Sequence, residues 1–83
     1  MKQIGYYPNS RLSLGEIQSL MVEVLHCRGG AIRITDEDSG QYIRLYRELD
    51  QFVIERHKPD GTYLDGITGD YHAAVKYMQE TIG

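Results

Sequence analysis

The stretch Tyr42-Ile43-Arg44-Leu45-Tyr46-Arg47 sets two phenols and a guanidinium at alternate positions, with aliphatic residues between them. Side chains of an extended strand point alternately to its two faces, so if Ile43 and Leu45 meet a core, Tyr42, Arg44 and Tyr46 project from the other side. The chemistry of such a set is recognition: Tyr and Arg offer broad stacking and hydrogen-bonding surfaces and anchor interfaces. Arg33 and Thr35 on a preceding strand, and Val53, Glu55 and His57 on a following one, extend the same face, Val53 as an apolar spot. The competing reading is a solvated face with cross-strand pairs such as Arg44 with Glu55, each worth ~0.2–1 kcal/mol.

Patterns for bond-making chemistry are missing. His26, His57 and His72 do not fall at His-x-x-x-His or His-Glu-x-x-His spacing, and one cysteine, Cys27, rules out both an intrachain disulfide and a Cys/His zinc pattern. Cys27 is placed near a helix C-terminus, where the dipole disfavours a thiolate, so it reads as a structural thiol. His57 lies two residues from Glu55, a weak acid–base or metal pair against the simpler reading of a surface histidine. Asp36-Glu37-Asp38-Ser39-Gly40 opens like a calcium loop, but Gln41 and Arg47 occupy the sixth and twelfth places, where an EF-hand requires Gly and Glu. It reads as an acidic hairpin turn. Asp60, Asp65 and Asp70 flank a glycine-containing segment that matches no phosphate-binding fingerprint, and turn and capping roles account for them. No catalytic residue, cofactor or metal is expected.

Composition sets the class. The 83 residues are 41% hydrophobic and 25% charged, as in an ordinary folded domain, and suffice for one modest core. The net charge of −3, without a Lys/Arg cluster, argues against nonspecific nucleic-acid binding, which depends on cations neutralising phosphates. Seven tyrosines against one phenylalanine and no tryptophan suit an interface, although Tyr is also a good strand residue. No apolar run approaches the ~20 residues that span a bilayer, the first residues lack a signal-peptide h-region, and the cysteine usage fits a reducing cytoplasm.

Specific elements must position these residues. Lys2–Tyr7 reads as a short strand closed by Pro8-Asn9-Ser10. Ser13-Leu14-Gly15-Glu16 is a capping box and starts a helix with an apolar stripe of Ile17, Leu20, Met21, Val24 and Leu25, ended by Gly29-Gly30. Three strands follow: Ala31–Thr35, Gln41–Arg47 and Gln51–His57. Lys58-Pro59-Asp60-Gly61 is a turn, Thr62–Asp65 a short fourth strand, and Gly66–Asp70 a loop. A helix over 70–82, capped by Thr68 or Asp70, buries Tyr71, Ala74, Val75, Met78 and Ile82, leaving His72, Lys76, Tyr77 and Glu80 off the stripe. The expectation is one small α+β domain over residues 1–83. It is a two-layer αβββα-like sandwich with a three- to four-stranded antiparallel meander and both helices on one face; residues 1–10 are an extra edge strand or a frayed arm.

The order α-β-β-β-α resembles that of double-stranded RNA-binding domains in topology alone. Their lysine-rich start of the second helix has no counterpart in Thr68-Gly69-Asp70-Tyr71-His72-Ala73-Ala74, so no residue role carries over. In size and composition the chain is similar to phage-encoded and mobile-element accessory proteins, many of which inhibit host machinery by binding it. The functional expectation is a non-enzymatic protein-binding module, an inhibitor or regulatory subunit, docking through Tyr42, Arg44 and Tyr46 with Arg33 and His57. The alternatives are nucleic-acid binding through the same face and a homodimer formed on it.

Overall fold

A computed structural model describes residues 2–26 and 30–83. The elements run β1 (Lys2–Tyr6), α1 (Leu14–His26), β2 (Ala31–Asp36), β3 (Tyr42–Glu48), β4 (Gln51–His57), β5 (Tyr63–Gly69) and α2 (Tyr71–Ile82). The expected structural role of Cys27 and the helix-ending role of Gly29 lie outside the described residues.

The α+β class is as expected, but the sheet is larger and mixed. Its five strands stand in sequential order; β2 to β5 pair antiparallel, and β1 runs parallel to β2. Parallel neighbours cannot be joined by a tight turn, and here α1 is the crossover between them. The N-terminal segment is therefore an edge strand and not a frayed arm: Ile4 and Tyr6 pack against the core, and the Lys2 ammonium lies 2.8 Å from the Glu23 carboxylate of α1. The helices also differ from expectation, since they do not lie together over one stretch of the sheet. α1 is set against β2 and β3, α2 against β4 and β5, and the two helices meet each other.

Local chemistry explains the boundaries. The Ser13 hydroxyl accepts from the Glu16 N–H at 3.2 Å and the Glu16 carboxylate accepts from the Ser13 N–H at 3.0 Å, completing the capping box. These bonds hold the Glu16 carboxyl below its ordinary pKa. Of the two candidate caps for α2 it is Asp70 that serves, accepting from the Ala73 N–H at 2.9 Å, and Gly83 ends the helix by donating to the Met78 and Gln79 carbonyls. Ile17, Met21, Ile32, Ile34, Leu45, Ile54, Met78 and Ile82 are fully buried; each such side chain contributes about 1.5–3 kcal/mol relative to an exposed one. Leu25, expected in the stripe of α1, is exposed instead.

The largest departure concerns β5. Residues 66–70 do not form a loop: the strand runs to Gly69, through Gly66. At Gly66 a Cβ would run into the Ile54 carbonyl oxygen, so this glycine serves close backbone approach between strands and not a turn.

Candidate outer-face interaction site

The alternation expected for β3 is present: Ile43 and Leu45 are buried, while Tyr42, Arg44 and Tyr46 are half-buried on the opposite side. Register then decides which neighbours they meet. Thr35 lies opposite Tyr42 and Arg33 opposite Arg44 on β2; on β4, His57 lies opposite Tyr42, Glu55 opposite Arg44 and Val53 opposite Tyr46.

Two connected clusters result. In the first, the Arg33 guanidinium carbon stands 3.7 Å from the Tyr42 ring centroid, and the Tyr42 and His57 rings stack 5.1 Å apart with an interplanar angle of 14°. Since β3 lies between β2 and β4, the Tyr42 ring is held between a cation on one side and an imidazole on the other. In the second, the Tyr46 hydroxyl donates to Glu55 at 3.0 Å, and Arg44 sits 4.5 Å over the Tyr46 ring and 3.7 Å from the Glu55 carboxylate. The His57 side chain joins the clusters, its Nε2 lying 3.0 Å from Glu55 Oε1 and its Nδ1 3.0 Å from the Gly61 carbonyl oxygen.

These contacts shape the electrostatics. Partial burial raises the Glu55 carboxyl, but the hydrogen bonds from His57 and Tyr46 and the charge of Arg44 outweigh it, and its pKa is held below the ordinary glutamate value. Burial first, and then the bond to Glu55, raises the Tyr46 phenol. In a chain of net charge −3, this face gathers the Arg33 and Arg44 guanidinium groups around one carboxylate.

All five expected contact residues, Tyr42, Arg44, Tyr46, Arg33 and His57, therefore share one surface. Val53 does not offer the expected apolar spot; it is 7% exposed. Tyr63 belongs to the surface although the sequence did not indicate it: a register shift between Arg56 and His57 brings it opposite His57, where the rings meet edge to face at 5.8 Å. Beside it, a shallow depression of about 190 Å³ is lined by Tyr63, Gly66, Thr68, Val53 and Glu55.

The acidic turn is an Asx turn: Asp36 Oδ1 accepts from the Asp38 and Ser39 N–H groups at 2.8 and 3.2 Å. Asp60 likewise accepts from the Thr62 N–H at 2.9 Å. The Asp65 carboxylate does more than shape a turn. It binds Arg56 through two hydrogen bonds, at 2.6 and 2.5 Å, and accepts from the Tyr77 hydroxyl at 2.8 Å. Among the described residues no group of three or more His, Cys, Asp or Glu side chains is arranged to hold a metal ion, and no helix is long and apolar enough to cross a membrane. Comparison with protein-family models, with curated proteins and with solved structures finds no match to this chain.

Proposed function

We propose that this chain is a non-enzymatic protein-binding module, an inhibitor or regulatory subunit that occludes an acidic surface of a partner protein. The observation that carries the reading is the pre-assembled outer face: Arg33 on Tyr42, Tyr42 on His57, and Arg44 between Tyr46 and Glu55. Side chains already fixed by one another lose little entropy on docking, and Tyr and Arg are the types that dominate interface energetics. A standard interface needs about 800 Å² from each partner, a fraction of the 5057 Å² surface that one sheet face can supply. A catalytic role for Glu55 and His57 is disfavoured because both imidazole nitrogens and the carboxylate are engaged within the protein. Nucleic-acid binding is disfavoured by the Tyr42 ring, whose faces are taken by Arg33 and His57 and so are closed to a stacking base.

The test is differential capture from the native host with the wild-type chain and folded Tyr42→Ala and Tyr46→Ala variants. A partner retained by the wild type should lose about 1–4 kcal/mol of affinity on truncation of an anchor. Equal affinity of the variants for that partner refutes the assignment. Titration with single-stranded and duplex oligonucleotides is expected to show no binding at low salt. Tight binding that falls steeply with added salt would move the function to nucleic acid.

A further inference from the structure

The sequence holds two Asp-Gly pairs, Asp60-Gly61 and Asp65-Gly66, and the fold treats them differently. An aspartate followed by glycine can close a five-membered ring: the glycine nitrogen attacks the side-chain carboxyl carbon, and glycine lacks the Cβ that hinders this attack after other residues. We propose that Asp60-Gly61 is a site of spontaneous backbone modification, isomerising through a succinimide to isoaspartate, and that the conversion loosens the outer face through the contact between Gly61 and His57. The chemistry stands on the turn alone; its role as a regulation of docking rests on the partner-binding reading above.

Three aspartates among the described residues, Asp36, Asp60 and Asp70, accept from a backbone N–H two or three residues further on. That arrangement curls the carboxyl toward the C-terminal side of its own residue, where the attacking nitrogen lies. Of the three, Asp60 alone precedes glycine; Glu37 and Tyr71 follow the others. Asp60 and Gly61 are both exposed in the turn between β4 and β5, with Gly61 at φ 94°. The attacking N–H donates to the Lys58 carbonyl at 2.9 Å, a single turn bond that can open without the sheet opening. Asp65 is held in the opposite manner. Arg56 and Tyr77 hold its carboxylate through three hydrogen bonds, and Gly66 is paired within the sheet opposite Glu55. Ring closure there must break both the cluster and the strand.

The reaction needs only water. A bond forms between the Gly61 nitrogen and Cγ of Asp60, and the carboxyl OH leaves with the amide proton as water. A water molecule then adds to one imide carbonyl. Addition at Cγ restores aspartate. Addition at the main-chain carbonyl breaks the original peptide bond and leaves isoaspartate, whose backbone runs through Cβ and Cγ and is one atom longer. That atom must be taken up in a turn closed by the Lys58 N–H donating to the Thr62 carbonyl at 2.8 Å. The Gly61 carbonyl oxygen of this turn lies 3.0 Å from His57 Nδ1. Its displacement frees one end of the imidazole that stacks on Tyr42 and meets Tyr63 edge to face.

The test ages the full chain at about pH 5, where part of an exposed aspartate population is protonated. Peptide mapping with fragmentation that separates isoaspartate from aspartate reads both pairs, in the folded chain and in denaturant. In the folded chain isoaspartate should accumulate at Asp60 about tenfold or more faster than at Asp65, since the second site must await opening of the strand; in denaturant the two rates should converge. Returned to neutral pH, the aged chain should show a second set of His57, Tyr42 and Tyr63 ring resonances whose share equals the isoaspartate share. Asp60→Ser keeps a side-chain oxygen for the turn but no carboxyl, and it should stay in one set after the same ageing. Equal rates at the two pairs in the folded chain, no isoaspartate at Asp60 over a period in which the denatured chain converts, or conversion that leaves the His57 resonances unmoved would each overturn the proposal. No partner enters these measurements, so failure here leaves the partner-binding reading standing, and loss of that reading leaves the chemistry of the turn intact.

Discussion

On one side of β3, Ile43 and Leu45 are 4% and 0% exposed and meet the aliphatic side chains of β2, β4 and the helices. On the other side of the same residues' backbone, Tyr42, Arg44 and Tyr46 stay half-exposed and are organised by stacking, one ion pair and directed hydrogen bonds. The first side is held by water exclusion, which is nondirectional and scales with buried area. The second is held by geometry, in contacts that are individually weak in water. A fold can lose much of the second without unfolding, and that independence is what frees a surface to serve a partner.

The sharpest way to break this contrast is to truncate neighbouring residues of β3 on either side. Leu45→Ala should destabilise the fold by about 2–5 kcal/mol, the range for a fully buried leucine. Tyr46→Ala should cost about 1 kcal/mol, since it removes a half-exposed ring and one hydrogen bond. Denaturant midpoints measure both, and equal losses would show that the outer face is structural and not a free surface.

Gly66 sharpens the comparison on β5. In Gly66→Ala the new methyl would meet the Ile54 carbonyl oxygen, and β5 must shift from β4; a loss of about 1–3 kcal/mol is expected. Thr68→Ala, on the same strand and exposed, should stay within about 0.5 kcal/mol of the wild type. If Gly66→Ala is as mild as its neighbour, the two strands are not so closely apposed.

Much of this was legible from local signals. The capping box and the three- and four-residue recurrence of Ile17, Leu20, Met21 and Val24 located α1, and the alternation of 42–47 located both sides of β3. What stayed hidden depends on contacts distant in sequence. Gly66 and Gly69 look like loop residues until the backbone of β4 is placed beside them. The parallel pairing of β1 is specified by packing of Ile4 and Tyr6 on a core that forms later in the chain. The period of α1 includes Leu25, yet that side chain is 43% exposed, so the buried stripe of α1 is narrower than its apolar one. Within the site, residue types were readable, whereas the partnership of His57 with Tyr63 needed the register shift that no local pattern reveals.

The β3–β4 turn provides a smaller effect at a residue that belongs to neither side. Leu49 has φ 57° and is 94% exposed, so it carries the left-handed strain of a side chain that buries nothing. The turn before β5 gives its left-handed position, φ 94°, to Gly61. Leu49→Gly should therefore raise stability by about 1 kcal/mol, read as a shift of the thermal midpoint, while Gly61→Ala should lower it by a similar amount. No gain on relieving Leu49 would mean that its side chain stabilises the fold despite its exposure.

The smallest expected effects are in pH, and they separate the Arg56–Asp65–Tyr77 cluster beside α2 from the Glu55 cluster on the outer face. Asp65 is pulled down to about 2, first by its hydrogen bonds from Arg56 and then by that from Tyr77. A carboxyl whose folded pKa is depressed stabilises the fold above its unfolded pKa, and that contribution disappears as pH falls toward the folded one. For Asp65 the loss should run from about pH 4 to about 2, attenuated by solvent since the side chain is 52% exposed. Tyr77 has the opposite sign: burial, and then its bond to Asp65, pushes it up to about 12. Its neutral form is favoured in the fold, so its contribution is complete below pH ~10 and disappears toward about 12. Asp65→Asn should flatten the acid limb and Tyr77→Phe the alkaline limb of stability against pH. Glu55 is also depressed, so Glu55→Gln should flatten only the part of the acid limb just below the ordinary glutamate range. If Asp65→Asn leaves the acid limb unchanged and Glu55→Gln abolishes it, the outer face is the stronger structural clamp, and its proposed freedom to meet a partner is lost.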